Sequence, residues 1–475
     1  MAGYSDVLIG MQWGDEGKGR FIDYLLESGQ YQIVTRFQGG PNAGHTLNVN
    51  GHTLALHGLP SGIFHPSVQL YIGAGCVINP TKLLAEIAEV ENLGVSLEGR
   101  LLISPYASLI QPHHILEDKF FGAHLGTTGN GIGPAYSQRM IRCKGEFLND
   151  VRFAEAVLDP RSTSRIVRSN LDETITNFGQ KQVERMAPEF LPLNLWEKFR
   201  ADIHLLEQYL ETDPLYLTKQ VEQGKNVLFE GAQASELDVT YGNSPFTTSS
   251  NTISSAAYTG GDLNHKFHRK TIGVLKAIPS RVGAGPFVAE LGGKKSEYYC
   301  MEEGGKKNTK EYEQDHHHPQ TLLTSKDDFN VGIALRMLGN EYGATTKRPR
   351  RIGMLDTYQL EFAAKLNGIN EIYITKIDEL HRFNQSHFNG VPVVESYQLN
   401  QQEIHSYPIT TLEMASAKPH SINIFGGIPD VITSTKWNEL PRSILELVER
   451  LESACSAKVL GLGVGPEREK VIFRK

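Results

Sequence analysis

Short apolar runs recur from one end of the chain to the other, and glycine-rich turns follow many of them. They cover residues 6–10, 31–37, 226–230, 271–276, 371–375 and 421–425. A strand with one wet face alternates polar and apolar residues, whereas a near-continuous run needs cover on both faces, as in a parallel sheet. Helical segments lie between the runs: 81–93 after Asn79-Pro80, one or two helices within 193–223, and 437–457 with Leu440, Ile444, Leu447, Val448 and Leu451 at helical spacing. The pattern predicts an α/β fold, with a large, mostly parallel central sheet flanked by helices. Ligands of such sheets collect at the carboxyl ends of strands, so the glycine turns are where chemistry is expected.

At 475 residues the chain reads as one domain over 1–475 with a polar surface insertion at 292–328, which carries His316-His317-His318. The net charge of −7 does not suit a general nucleic-acid binder, and no apolar run is long enough to span a bilayer. No basic-then-apolar leader opens the sequence, and the four cysteines form no CxxC pair. These features predict a cytoplasmic protein without nucleic-acid or membrane partners.

Six clusters carry chemistry. Gly14-Asp15-Glu16-Gly17-Lys18-Gly19 follows the first run. Its amides, the following helix start and Lys18 suit phosphate, although it is not a Walker A loop; the competing reading is a tight turn. Gln38 to Thr46 follows the second run and holds Gly44 and the titratable His45. Gly126 to Pro134, with Arg139 and Arg142 beyond it, suits an anion or is a flexible connection. Gln233, with the hydroxyl run 247–252 downstream, could read a base edge, or the hydroxyls could cap a helix. Thr345 to Arg351 packs a lysine and three arginines into five residues, as for carboxylate or phosphate, or as a solvated basic turn. Thr375-Lys376-Ile377-Asp378 ends a run; an Asp there can accept from guanine N1–H and its 2-amino group, but the pattern also fits an ordinary strand end.

From Gln12–Gly19 to Gly463–Pro466, these motifs in this order resemble adenylosuccinate synthetase. The resemblance implies a P-loop-NTPase-like fold and a GTP- and Mg²⁺-dependent ligation of aspartate to IMP through a 6-phosphoryl intermediate, in purine biosynthesis. It implies that Asp15 and His45 are catalytic and that Mg²⁺ is held by Asp15 and Gly44. GTP would meet Gly14, Asp15, Glu16, Gly17, Lys18, Gly19, Arg20, Gly44, His45, Thr46, Arg350, Lys376, Ile377, Asp378, Gly463, Val464 and Gly465. IMP would meet Asp15, Lys18, Asn42, His45, Thr128, Gln233, Thr248 and Arg348, together with Arg142 reaching across a homodimer. Aspartate would meet Thr345, Thr346, Lys347, Arg348 and Arg350, and Val282 and Gly283 would lie in a switch loop.

The chain departs from the family pattern at several positions. Asn130 stands where an arginine is usual, Lys347 for a glycine, Gly463 for a hydroxyl residue, Met354 for a tryptophan and Arg20 for a lysine. Two alternatives stay open on the sequence: a related ligase using another amino acid or another 6-oxopurine nucleotide, and a guanine-nucleotide-binding regulator.

Overall fold

The computed structural model describes residues 2–42, 44–49, 52–121, 127–144, 147–148, 150–191, 195–343, 347–429, 434, 436–465 and 469–474; for 45–49, 52–53, 143–144 and 147–148 it describes the backbone alone. Among the described residues nine strands form the central sheet: β1 (Ser5–Gly10), β2 (Ile33–Arg36), β3 (Gln69–Ile72), β4 (Leu101–Ile103), β5 (Val227–Glu230), β6 (His268–Lys276), β7 (Ile369–Thr375), β8 (Lys458–Gly463) and β9 (Val471–Phe473). Their spatial order is β9-β8-β7-β6-β1-β5-β2-β3-β4. Neighbours run parallel, except β9 against β8.

Strand β1 explains why the runs are continuous. Val7 and Ile9 enter the core on one face of the sheet and Leu8 the core on the other, all of them 0% exposed. Successive side chains point to opposite faces, so a strand covered on both sides needs apolar residues at every step.

Helix α1 (Lys18–Glu27) follows β1 directly, and α2 (Pro80–Asn92) starts where the Asn79 side chain accepts from the Lys82 amide at 3.1 Å. Helices α3 (Ile132–Ile141), α4 (Asp328–Leu338) and α5 (Arg442–Cys455) complete the elements that matter for the site. In α5, Ile444, Leu447, Val448 and Leu451 are all buried, as the helical spacing predicts.

One expected sheet strand lies elsewhere. Residues Ile422–Phe425 pair antiparallel with Val391–Val394 in a separate three-stranded sheet, and Ile422, Asn423 and Ile424 are exposed. A short apolar run does not specify its partner; the pairing is decided by what packs nearby.

Segment 292–328, expected as a polar surface insertion, folds against the main body as helices Gly293–Met301, Lys310–His316 and Pro319–Leu323. Cys300, Glu313 and Leu323 are buried. The Glu313 carboxylate accepts from Arg336 Nε at 3.0 Å on both oxygens, and Arg336 Nη1 donates to the Arg350 carbonyl at 3.0 Å. The segment thus braces the arginine-rich loop. His316 stacks on Tyr312 with ring centroids 4.0 Å apart, and His317 shares a 3.1 Å hydrogen bond with the Tyr299 hydroxyl. Among the described residues no group of three acidic, His or Cys side chains is placed to hold a metal.

Candidate active site

The turn between β1 and α1 is built on left-handed backbone. Gly14, Asp15 and Gly17 have φ of 90°, 59° and 88°. Gly17 is required by more than its φ: a methyl group on it would stand 3.1 Å from Thr375 Cγ2 at the end of β7. Inside the turn, the buried Glu16 carboxylate accepts from the amides of Gln12 at 3.2 Å and Gly14 at 2.8 Å. Lys18 Nζ donates to Glu16 Oε2 at 2.8 Å and to the Gln233 carbonyl at 2.5 Å. The expected phosphate-binding lysine is therefore held inside the protein by Glu16 of its own loop and by the Gln233 carbonyl.

Asp15 faces the arginine-rich loop. Its Oδ2 pairs with Arg350 Nη2 at 2.6 Å, and Arg350 Nη1 donates to Glu341 Oε2 at 2.6 Å. Glu341 also takes Lys276 Nζ at 2.9 Å and faces Lys376 Nζ at 3.5 Å. Burial raises the pKa of the Asp15 carboxyl, but the charges of Arg350, Lys276 and Lys18 outweigh it and hold it below the usual carboxylate range. Glu341 is likewise held low: burial opposes ionisation, and Lys276, Arg350 and Lys376 overcome it. Burial draws the Lys276 amine down, against the pull of Glu341.

Asp15 Oδ1 turns the other way. A methyl group on Gly44 would stand 3.8 Å from it, so carboxylate and Gly44 backbone are neighbours. Both line a cavity of about 480 Å³ with Asn42, Lys82, Glu86, Thr128, Asn130, Val282 and Gly343. Asn42 Oδ1 accepts from Gln233 Nε2 at 3.2 Å, while the buried Gln233 Oε1 has no hydrogen-bond partner among the described residues. Gln233 itself does not line this cavity and meets it only through Asn42.

The expected base-reading motif lies at the carboxyl end of β7. Lys376 has φ 64°, and its Nζ donates to the Gly339 carbonyl at 2.8 Å. Ile377 is buried, and burial raises the Asp378 carboxyl. Arg20 on α1 donates to the carbonyls of Gly465 and Lys470, which fixes the turn Gly463-Val464-Gly465 beside the start of α1.

Other expected residues scatter. Thr248 does not line the Asp15 cavity but a second one of about 660 Å³, with Gln38, Tyr136 and Arg139. Arg142 is exposed at the end of α3, beside the exposed Met140 and Ile141, and lines neither cavity. His45 and Thr46 begin a strand antiparallel to 52–56, and their side chains lie outside the description. Thr345 and Thr346 lie outside the described residues. Lys347 has φ 55°, a backbone that suits glycine, and Arg348 packs its Cγ against Gly305.

Sequence reasoning passed over Lys276, Glu341, Lys82 and Glu86. Two of them left a trace: Lys276 is a charged residue closing an apolar run, and Glu341 is an acid just ahead of a basic cluster.

A parallel sheet with a glycine turn, an acid–arginine pair and a cavity at the carboxyl end of its central strand defines the chain as an α/β protein of the nucleotide-enzyme type. The sequence profile described as adenylosuccinate synthetase matches residues 7–472. The chain is 38% identical to adenylosuccinate synthetase 2 of Cupriavidus pinatubonensis over 99% of this chain and 97% of the relative. It is 36% identical to adenylosuccinate synthetase of Chlorobium phaeovibrioides over 98% and 97%. The solved structure of fully ligated adenylosuccinate synthetase from Plasmodium falciparum superposes with a TM-score of 0.79 at 29% identity, covering 100% of both chains. A cyanophage S-2L succinoaminodeoxyadenylate synthetase bound to dGMP and dATP shares the fold at a TM-score of 0.60 and 18% identity, over 100% of this chain and 96% of that one.

The chain belongs to the adenylosuccinate synthetase family. It is a ligase that forms a C–N bond, of the family that joins IMP and aspartate with GTP. A purely regulatory GTP-binding role, open on the sequence, gives way to this.

Proposed function

We propose that this chain makes adenylosuccinate from IMP, aspartate and GTP through a 6-phosphoryl-IMP intermediate, with Asp15 as the base that takes the N1 proton of the hypoxanthine ring. The observation that carries the proposal is the position of Asp15: an ionised carboxylate at the wall of a cavity shared with Asn42 and Thr128, held by Arg350. Proton removal from N1 makes O6 a nucleophile toward the γ-phosphate of GTP; phosphate then leaves C6 as the aspartate amine adds. Arg350 weakens Asp15 as a base while it is paired. An anion bound at Arg350, from aspartate or GTP, competes for that guanidinium and restores the basicity.

In this reading Gly14, Glu16, Gly17, Lys18, Gly19 and Arg20 form the phosphate end of the GTP site, with His45 and Thr46 alongside. Lys376, Ile377, Asp378 and the turn Gly463-Val464-Gly465 form its base end. Asn42, Thr128, Gln233, Thr248 and Arg348 hold IMP, with Gln233 Oε1 offering its unused acceptor to a ring N–H. Lys18 must leave Glu16 and the Gln233 carbonyl to reach a phosphate. Thr345, Thr346, Lys347, Arg348 and Arg350 surround aspartate. Arg142 completes the IMP site of a second copy in a homodimer, in keeping with its exposure outside both cavities.

Mg²⁺ suits the residues present. Asp15 Oδ1 and the adjoining Gly44 backbone are hard oxygen donors on the side away from Arg350, and so small a protein set leaves room for the phosphates and waters that Mg²⁺ keeps. When bound there it supplies positive charge to the phosphoryl oxygens. The reading includes a cytoplasmic location, supported by cysteines that are free and buried at 76, 300 and 455. No helix among the described residues is long and apolar enough to cross a membrane.

The test is incubation with IMP, GTP and Mg²⁺, with and without aspartate, following the ultraviolet absorbance of adenylosuccinate. Aspartate-dependent product is expected. Binding of both nucleotides without product would overturn the choice of aspartate, and turnover that survives Asp15→Asn would overturn the mechanism.

A further inference from the structure

We propose that Lys82 is a specificity-determining residue that binds a carboxylate of the amino-acid substrate from the wall of the Asp15 cavity; the inference rests on the ligase reading above. Lys82 stands in the first turn of α2 and lines the cavity with Asp15, Thr128 and Gly343. Its ammonium donates to the Asn130 side-chain oxygen, its one hydrogen bond among the described residues, and it makes no ion pair there. Two of its three N–H donors therefore have no protein acceptor among the described residues.

The natural partner on its own helix is already committed. Glu86, one turn on, is buried, and its carboxylate accepts from the amides of His57 at 2.9 Å, Gly58 at 2.8 Å and Leu59 at 3.1 Å. It leaves Lys82 without a counter-charge. Lys82 is exposed, and partial burial of its amine draws it down from its ordinary value.

Asn130 fixes the direction. It is buried, its amide nitrogen donates to Thr128 Oγ1 at 3.0 Å and to the Pro41 carbonyl at 3.3 Å, and its oxygen is left for Lys82. Asn130 is itself neutral, so the positive charge at this end of the cavity comes from Lys82. Two sources of anion reach this cavity, nucleotide phosphate and amino-acid carboxylate. The second is favoured because the same wall includes Gly343, whose amide donates to the Arg348 carbonyl at 2.8 Å, which places the arginine-rich loop at the cavity edge. The phosphate turn is served separately by Lys18.

The experiment compares the full-length wild type with Lys82→Met and Lys82→Arg, varying aspartate, IMP and GTP in turn with the other two saturating. Lys82→Met is expected to raise the aspartate KM by about tenfold to a hundredfold, the range for a lost hydrogen bond to a charged group. The kcat and the KM values of IMP and GTP stay unchanged, and Lys82→Arg retains most of the aspartate affinity. Thermal unfolding of Lys82→Met at the wild-type midpoint shows that the effect is local. An unchanged aspartate KM in an active, folded Lys82→Met enzyme overturns the assignment alone. A rise confined to IMP or GTP assigns Lys82 to phosphate and also overturns it. A wild type that makes no product with aspartate overturns this inference together with the ligase reading.

Discussion

The carboxylate of Asp15 and the guanidinium of Arg350 meet at 2.6 Å, joining the turn after the central strand to the arginine-rich loop far along the chain. Through Glu341 the contact extends to Lys276 at the end of β6 and Lys376 at the end of β7. Three strand ends are thus linked by one charge network centred on the buried Glu341 and Lys276.

Asp15→Asn removes the proposed base and keeps its shape. Turnover is expected to fall by about a hundredfold to ten-thousandfold, the usual contribution of a positioned acid or base. GTP binding, followed with a fluorescent analogue, persists. Loss of binding along with turnover would assign Asp15 to nucleotide affinity instead.

Glu341→Gln leaves Lys276 and Arg350 with no buried carboxylate between them. Breaking one side of such a buried network destabilises by about 3–5 kcal/mol. A lower urea midpoint measures this. Adding Lys276→Met to Glu341→Gln is expected to recover part of the loss, because it removes the stranded charge.

Gly17→Ala forces an alanine into left-handed backbone against Thr375. A strain of about 1–2 kcal/mol is expected. It falls on the phosphate turn, so the KM of GTP rises while that of aspartate does not. Equal rises for both would point to general unfolding.

Glu236 sets a pH dependence of stability. It is buried, and burial pushes its carboxyl up to about 7, against the hydrogen bonds from Tyr407 and Gln359. The folded state therefore holds a proton that the unfolded chain releases near 4.5. Stability from this group falls as pH rises from about 4.5 to about 7 and is level above that; each tenfold difference in proton affinity between the folded and unfolded chain is worth about 1.4 kcal/mol. Urea midpoints across that range should show the slope in the wild type and a shallower one in Glu236→Gln, the rest coming from Asp356, whose carboxyl burial pushes up to about 6.

Asp378→Asn tests base reading. Asparagine presents an N–H donor where guanine also donates, so discrimination between GTP and ATP is expected to drop, read as the ratio of the two kcat/KM values. An unchanged ratio would move the selectivity elsewhere, for example to the turn at Gly463.

The amino-acid sequence by itself determined the glycine turns and five of the sheet strands, β1, β2, β5, β6 and β7, but not β3, β4, β8 or β9. The runs within β1, β2, β5, β6 and β7 are nearly continuous in apolar residues where both faces are covered, and that requirement is local and readable. The glycines at 14 and 17 suit left-handed backbone, a preference of the residue itself that is likewise local. Only the tertiary structure decided which charge meets which. Nothing in the spacing ties Glu341 to Lys276, Lys82 to Asn130, or Glu313 to Arg336, and nothing in Ile422–Phe425 says that it joins a small antiparallel sheet. Buried charges and short strands are satisfied by partners distant in sequence, and the choice among partners falls to packing, which brings one candidate within hydrogen-bonding distance and leaves the others beyond it.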